Sequence, residues 1–199
     1  MIDSPFEIYF LEISSAYRTL SSPVRPDSPV GCVATDIREM IESYLSDAQT
    51  FRENGDRINE YASLSYAHGW MDAGMCLGYL IGDSALLVLS ESTDIPSDQS
   101  ERLEEKTRRY ARMLSDALDS VQPAPEFGSP YYQAATIIID IANGALKKAM
   151  LTINSPDSFS RTLGILSYGY GWLDCGLRAG LFTIIKNPDL FTTETSKKF

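Results

Sequence analysis

The chain has 199 residues, with 17 Lys+Arg against 27 Asp+Glu and a formal net charge of −10. That length holds one large domain or two small ones, and a composition 44% apolar and 22% charged excludes wholesale disorder. A pI near 4.5 argues against a binder of the phosphate backbone, so no nucleic-acid partner is expected, and a single histidine excludes zinc or di-iron sites built on two imidazoles.

The first ten residues, MIDSPFEIYF, lack a basic stretch followed by an uninterrupted apolar one and do not read as a signal peptide. Prolines then divide the chain into six segments of helical spacing, and none falls inside a long periodic run. Phe6, Phe10, Ile13, Tyr17 and Leu20 make the first apolar stripe. Val33, Ile37, Met40, Ile41, Tyr44, Leu45, Ala48 and Phe51 make the second. Asn54-Gly55-Asp56 then reads as a helix end at a left-handed glycine followed by an aspartate N-cap.

The third segment, about 57–90, is rich in glycine and aromatics. Its most apolar window, Ala73 to Ser90, is interrupted by Asp83 and three glycines, too broken for a membrane span, so no membrane association is expected. After a linker at Thr93–Ser100, Leu103, Tyr110, Leu114, Ala117, Leu118 and Val121 form the fourth stripe. Glu101, Glu104 and Glu105 precede Lys106, Arg108, Arg109 and Arg112 there, a pattern of intrahelical salt bridges on a solvated face. Tyr131, Ala135, Ile138, Ile139, Ala142, Leu146, Ala149 and Met150 form the fifth, with Asp140 expected at a helix edge or against a buried donor. Ser155-Pro156-Asp157 opens the sixth, about 157–186. No run alternates with period two for long enough to support a sheet, so the fold class is all-α. Cys32, Cys76 and Cys175 form no close pair and read as free, largely buried thiols of a reducing cytoplasm.

A duplication organises these segments. LSYAHGWMDAGMCLGYL at 64–80 repeats as LSYGYGWLDCGLRAGLF at 166–182; shifted by 102, Leu64, Ser65, Tyr66, Gly69, Trp70, Asp72, Gly74 and Gly78 match Leu166, Ser167, Tyr168, Gly171, Trp172, Asp174, Gly176 and Gly180. Upstream, a shift of 101 aligns Ile37, Leu45 and Ala48 with Ile138, Leu146 and Ala149. The chain therefore reads as two tandem antiparallel up-and-down three-helix bundles, 1–93 and 94–199. Tyr66, Trp70, Ala73, Leu77 and Ile81 share one face of the third helix, as Tyr168, Trp172, Cys175 and Ala179 do in the sixth. Gly69, Gly74, Gly78, Gly82, Gly169, Gly171, Gly176 and Gly180 read as helix-interior glycines, each costing roughly 0.5–1 kcal/mol against alanine. Close approach of another backbone offsets such a cost, so contact between the repeats or between chains is expected on these helices.

The pattern Y-A-H-G-W-[ML]-D-A-G-x-x-L-G at Tyr66 to Gly78, preceded by the F-x-x-N-G-D turn at Phe51 to Asp56, resembles an archaeal family catalogued as domain of unknown function 357. The second copy departs from it where Gly169 and Tyr170 replace Ala67 and His68, and where Ser155-Pro156-Asp157 replaces the Asn-Gly-Asp turn. The resemblance implies a left-handed up-and-down three-helix bundle per repeat, usually one per chain, in an archaeal cytoplasm. It implies no activity and no catalytic residue.

Ser65, His68 and Asp72 share a helical stripe and resemble a nucleophile, base and carboxylate, but the second copy keeps Ser167 and Asp174 and has Tyr170 in place of His68. A triad needs the imidazole, so the shared element is not catalytic in that way, and His68 reads as a surface or interface residue. The two aspartates read as acceptors for Tyr, Trp or backbone donors of a neighbouring helix, Asp174 also pairing with Arg178. A Glu-x-x-Glu at Glu39 and Glu42, with Asp72, makes a magnesium-like set, though Glu-x-x-Glu is common on solvated helix faces. No P-loop, Cys-x-x-Cys or Arg-x-x-x-x-His motif occurs.

The reading that results is a non-enzymatic interaction or self-association module with no cofactor, its partner a protein or a second copy of itself. The alternative is a small-ligand or magnesium-dependent nucleotide site of the all-α pyrophosphohydrolase kind. Candidate interface or ligand-facing residues are Tyr66, His68, Trp70, Asp72, Gly74 and Gly78, with Tyr168, Trp172, Asp174, Gly176 and Gly180.

Overall fold

Over residues 5–82 and 95–191, which the computed structural model describes, the chain forms six α-helices and a short two-stranded sheet. These are α1 (Pro5–Thr19), α2 (Pro29–Glu53), α3 (Arg57–Cys76), α4 (Ser100–Leu118), β1 (Val121–Pro123), α5 (Pro130–Thr152), α6 (Phe159–Arg178) and β2 (Phe182–Ile184). Residues 83–90 of the third predicted segment, and the start of the predicted linker, lie outside the described residues. No helix among the described residues is long and apolar enough to cross a membrane.

Local chemistry sets the boundaries. Ser28 and Ser129 cap α2 and α5, each accepting a backbone N–H three residues on (3.0 and 3.1 Å), and each is followed by proline at the first helical position. The two Ser-Pro steps are repeat equivalents. Asp56 caps α3 by accepting the Asn59 N–H at 3.1 Å, and Pro156 leads into α6 through a single 3₁₀ turn (Pro156–Ser158).

The glycine-rich helices end sooner than their periodicity predicts. Gly78 and Gly180 are not interior residues: both are left-handed, at φ +76° and +75°, immediately past the caps of α3 and α6. The Gly78 N–H returns to the Met75 carbonyl and the Tyr79 N–H to that of Gly74; Gly180 and Leu181 do the same with Leu177 and Gly176. This is the Schellman closure, and it needs a residue without a Cβ. Gly82 also lies beyond its helix. After the turn the chain runs back extended. Val121 pairs with Ile184 and Gln122 with Thr183 in the antiparallel β1–β2 ladder, and the repeat-equivalent pair Ser21–Ile81 forms an isolated bridge.

One core cluster draws on all six helices, from Phe6, Tyr9 and Ile13 through Ile37, Leu64 and Trp70 to Leu114, Ile138, Leu166 and Trp172. The buried stripe of α1 is Phe6, Tyr9 and Ile13, with Leu20 buried just past its end, rotated from the predicted one. Phe10 and Tyr17 are instead half-buried beneath the Arg52 and Arg38 guanidiniums, 4.5 and 5.3 Å from their ring centroids. On α5, Tyr131 and Met150 are exposed rather than core, and Asp140 lies on the exposed face. Cys175 is buried, whereas Cys32 and Cys76 are exposed, against the expectation of largely buried thiols. The α4 pairs Glu104–Arg108 (2.9 Å) and Glu105–Arg109 (3.6 Å) bridge within the helix, but Lys106 turns inward, 7% exposed, and donates to Asn59 of α3.

Candidate functional site at the contact between the repeats

The broadest helix contact joins α3 to α6, and its centre is a pair of glycines. A Cβ on Gly69 would lie 2.3 Å from the Tyr168 carbonyl oxygen, and one on Gly171 would lie 2.4 Å from that of Tyr66; each is 3.2 Å from the other glycine's Cα. Only the absent side chains let the two backbones meet. Outward from this point the contacts are reciprocal and antiparallel. The Tyr66 hydroxyl donates to Asp174 Oδ2, and the Tyr168 hydroxyl donates to Asp72 Oδ2 at 2.7 Å. Tyr66 also packs on Trp70 and Tyr168 on Trp172, at ring-centroid distances of 6.3 and 6.2 Å. A local two-fold axis thus runs between Gly69 and Gly171.

Most of the predicted site residues gather here. Tyr66, His68, Trp70, Trp172 and Asp174 are buried, and Asp72 and Tyr168 are half-buried. Gly74 and Gly176 do not reach the contact. A Cβ on Gly74 would meet Leu80 and Ile37, and one on Gly176 would meet Phe182 and Ile138. They serve the packing of each repeat on itself, the same partners recurring at shifts of 102 and 101. Gly78 and Gly180 are exposed caps.

His68 is not a surface residue. It is 2% exposed, with Nδ1 3.0 Å from the Tyr9 hydroxyl, Nε2 3.3 Å from Asp72 Oδ2 and its ring edge-on to Tyr168 at 5.2 Å. Ser65 is fully buried. The triad-like stripe is therefore part of a polar chain, Tyr9–His68–Asp72–Tyr168, buried at Tyr9 and His68 and half-buried at Asp72 and Tyr168, linking α1, α3 and α6. The magnesium-like set does not converge: Glu39 and Glu42 are on the exposed face of α2, and Glu42 accepts the Tyr17 hydroxyl at 3.2 Å. Among the described residues no three His, Cys, Asp or Glu are grouped to hold an ion.

The second half is built differently around the same carboxylate. Tyr170 stands at the repeat position of His68 and sends its hydroxyl to the Leu190 carbonyl. A cavity of about 180 Å³ opens beside Asp174, among Tyr44, Tyr66, Tyr110, Tyr170 and Ser167. Asp174 is 5% exposed, and its Oδ1 has no hydrogen-bond partner among the described residues. Burial pushes its carboxyl up to about 7, against the opposing pull of the Tyr66 hydroxyl and the Arg178 charge. Arg178 does not pair with Asp174 as expected; it reaches Asp36 of the other repeat, 3.6 Å away.

Tyr9, Tyr44 and Tyr170 were not among the predicted site residues. Tyr9 and Tyr110 match at a shift of 101, a signal in the sequence, whereas Tyr44 has no aromatic equivalent. The unequal surroundings of the two aspartates carry an expected result. Tyr66→Phe should cost about 2–3 kcal/mol because Asp174 loses the Tyr66 hydroxyl inside the core, and Tyr168→Phe about 1 kcal/mol because Asp72 is half-buried and stays open to water. Denaturant unfolding of the two variants checks the order.

A family model matches the chain twice, at residues 9–80 and 109–182, each match ending shortly past the third helix of its repeat. No curated protein and no solved structure matches it. The chain belongs to the family described as Protein of unknown function (DUF357), whose unit it carries in tandem.

Proposed function

We propose that the protein is a non-enzymatic self-association module whose two partners are the halves of a single chain. The reciprocal α3–α6 contact carries this reading. Tyr66 reaches Asp174 as Tyr168 reaches Asp72, and Gly69 faces Gly171. Such an isologous pattern, in which one patch meets its own equivalent, is the pattern of a two-fold dimer interface. Joining the halves covalently makes the pairing intramolecular and holds each partner at high effective concentration.

The same geometry speaks against chemistry at the histidine. Ser65 is fully buried and His68 is held between Tyr9 and Asp72, so a substrate has no path to either side chain. It also directs any further protein partner away from the α3 and α6 faces, which are engaged with each other, and onto the outer helices. The test is to place a protease site within residues 83–94 of the full chain and cleave it under native conditions. The halves should sediment together as one species close to 22.1 kDa and separate only on unfolding. Halves that separate while each keeps its helical circular dichroism would refute the reading.

A further inference from the structure

We propose that the cavity beside Asp174 is a binding site for one small organic cation, an alkylammonium or imidazolium group seated on tyrosine faces with its charge against Asp174 Oδ1. Three observations converge on this chemistry, and none depends on the self-association reading.

The first is the carboxylate itself. Asp174 is 5% exposed, lines the cavity and leaves Oδ1 without a partner among the described residues, while Oδ2 takes the Tyr66 hydroxyl. Among the described residues no Lys, Arg or His lines the cavity. Arg178 lies near enough for its charge to act on Asp174 but reaches out to Asp36, and Lys106 donates to Asn59. A buried carboxylate oxygen to which no described protein cation is bonded is matched by a ligand that brings one.

The second is the wall. Tyr44 and Tyr66 stand with ring centroids 4.2 Å apart, and Tyr170 follows at 6.4 Å from Tyr66. Clustered aromatic faces beside a carboxylate attract quaternary ammonium and similar soft cations through the ring quadrupole. The volume of about 180 Å³ suits one compact group, since a cavity of about 150 Å³ takes up benzene.

The third is an internal comparison. In the first half, Asp72 and Tyr168 stand where Asp174 and Tyr66 stand in the second, and the protein fills the place beside them with its own imidazole. His68 Nε2 is 3.3 Å from Asp72, and its ring is edge-on to Tyr168. In the second half the equivalent residue is Tyr170, its hydroxyl is drawn off to Leu190, and the place beside the carboxylate is open. An imidazole ring thus fills in the first half the place that stands open in the second.

The experiment is a titration of the full chain, by calorimetry and by NMR of the tyrosine rings, with choline, tetramethylammonium and 1,3-dimethylimidazolium. Choline's uncharged isostere 3,3-dimethyl-1-butanol is the control. At least one cation should bind at a single saturable site, about tenfold more tightly than the isostere. Asp174→Asn should weaken it by about tenfold. Met113→Trp, which fills the cavity from its half-buried rim on α4, should abolish it without unfolding the chain. Asp72→Asn should leave it within about twofold. The proposal is overturned if no cation saturates, if the isostere binds as tightly as choline, or if binding survives Met113→Trp. The last variant decides the matter should Asp174→Asn not fold.

Discussion

Gly171→Ala is expected to destabilise the chain by about 3 kcal/mol or more, although alanine is the better helix former by roughly 1 kcal/mol. The methyl group would sit 2.4 Å from the Tyr66 carbonyl oxygen and 3.2 Å from the Gly69 Cα. Both obstacles are backbone, so no side chain can turn away, and relief requires α3 and α6 to part. Parting them stretches the Tyr66–Asp174 and Tyr168–Asp72 hydrogen bonds on either side of the axis and opens gaps around Trp70 and Trp172. Overpacking usually costs about 1–3 kcal/mol, and rigid surroundings put this site at the upper end. Gly69→Ala should behave alike, and the double variant should cost less than the sum, because helices already parted accommodate a second methyl group.

Gly144→Ala is the matched control. It also lies within a helix, but a Cβ there meets nothing within 4 Å, so it should gain up to about 1 kcal/mol. Gly176→Ala falls between them, since its obstacles are the tips of Ile138 and Phe182. Urea unfolding of the four single variants measures the order. Equal stability of Gly171→Ala and Gly144→Ala would mean that the α3–α6 backbones are not in contact.

These glycines show what a sequence discloses and what it withholds. Prolines, Ser and Asp caps and Gly55 are local signals, which is why six helices could be read from spacing alone. The periodicity overruns the ends of α3 and α6 because apolar residues continue beyond them: Leu80 and Leu181 are buried, but past a left-handed glycine and outside the helix. Strands of three residues are too short to declare a period of two, and β1 pairs with β2 only once α6 has brought them together. The duplication marks the Gly-aromatic face as a place of close approach, and Gly69 and Gly171 meet there, yet nothing local distinguishes Gly69, which meets another helix backbone, from Gly74, which meets Ile37 and Leu80.

The site was legible to a similar depth. Asp72 and Asp174 are indistinguishable as repeat positions, and reading both as acceptors for tyrosine agrees with the geometry. Their inequality comes from a neighbour. The exchange of His68 for Tyr170 spoke against a triad, and the same exchange leaves a cavity on one side where the other has an imidazole. Sequence recorded the difference; only packing gives it a consequence.

That inequality should appear as an inverted pH dependence. Relative to Asp174→Asn, the native chain is expected to lose about 3–4 kcal/mol of stability as pH rises from 4 to 8. Burial holds the folded-state carboxyl at about 7, against an ordinary value of 3.8. Below pH 4 both states carry the proton and its contribution is fully present. Between 4 and 7 the folded state keeps a proton that the unfolded state has released, so each pH unit removes up to about 1.4 kcal/mol, and the loss levels off above 7. Carboxylates held low by partners act oppositely: Asp56, despite its partial burial, is kept below its ordinary value by Arg102 and Asn59 and loses stability as pH falls. Comparison with Asp174→Asn cancels those contributions, because asparagine preserves the shape and an acceptor for Tyr66 while removing the titration. The variant should therefore be the more stable of the two at pH 8, and the gap should close or reverse at pH 4. Urea unfolding at several pH values resolves the two curves, and parallel curves would show that Asp174 titrates in the core no differently from a carboxylate in water.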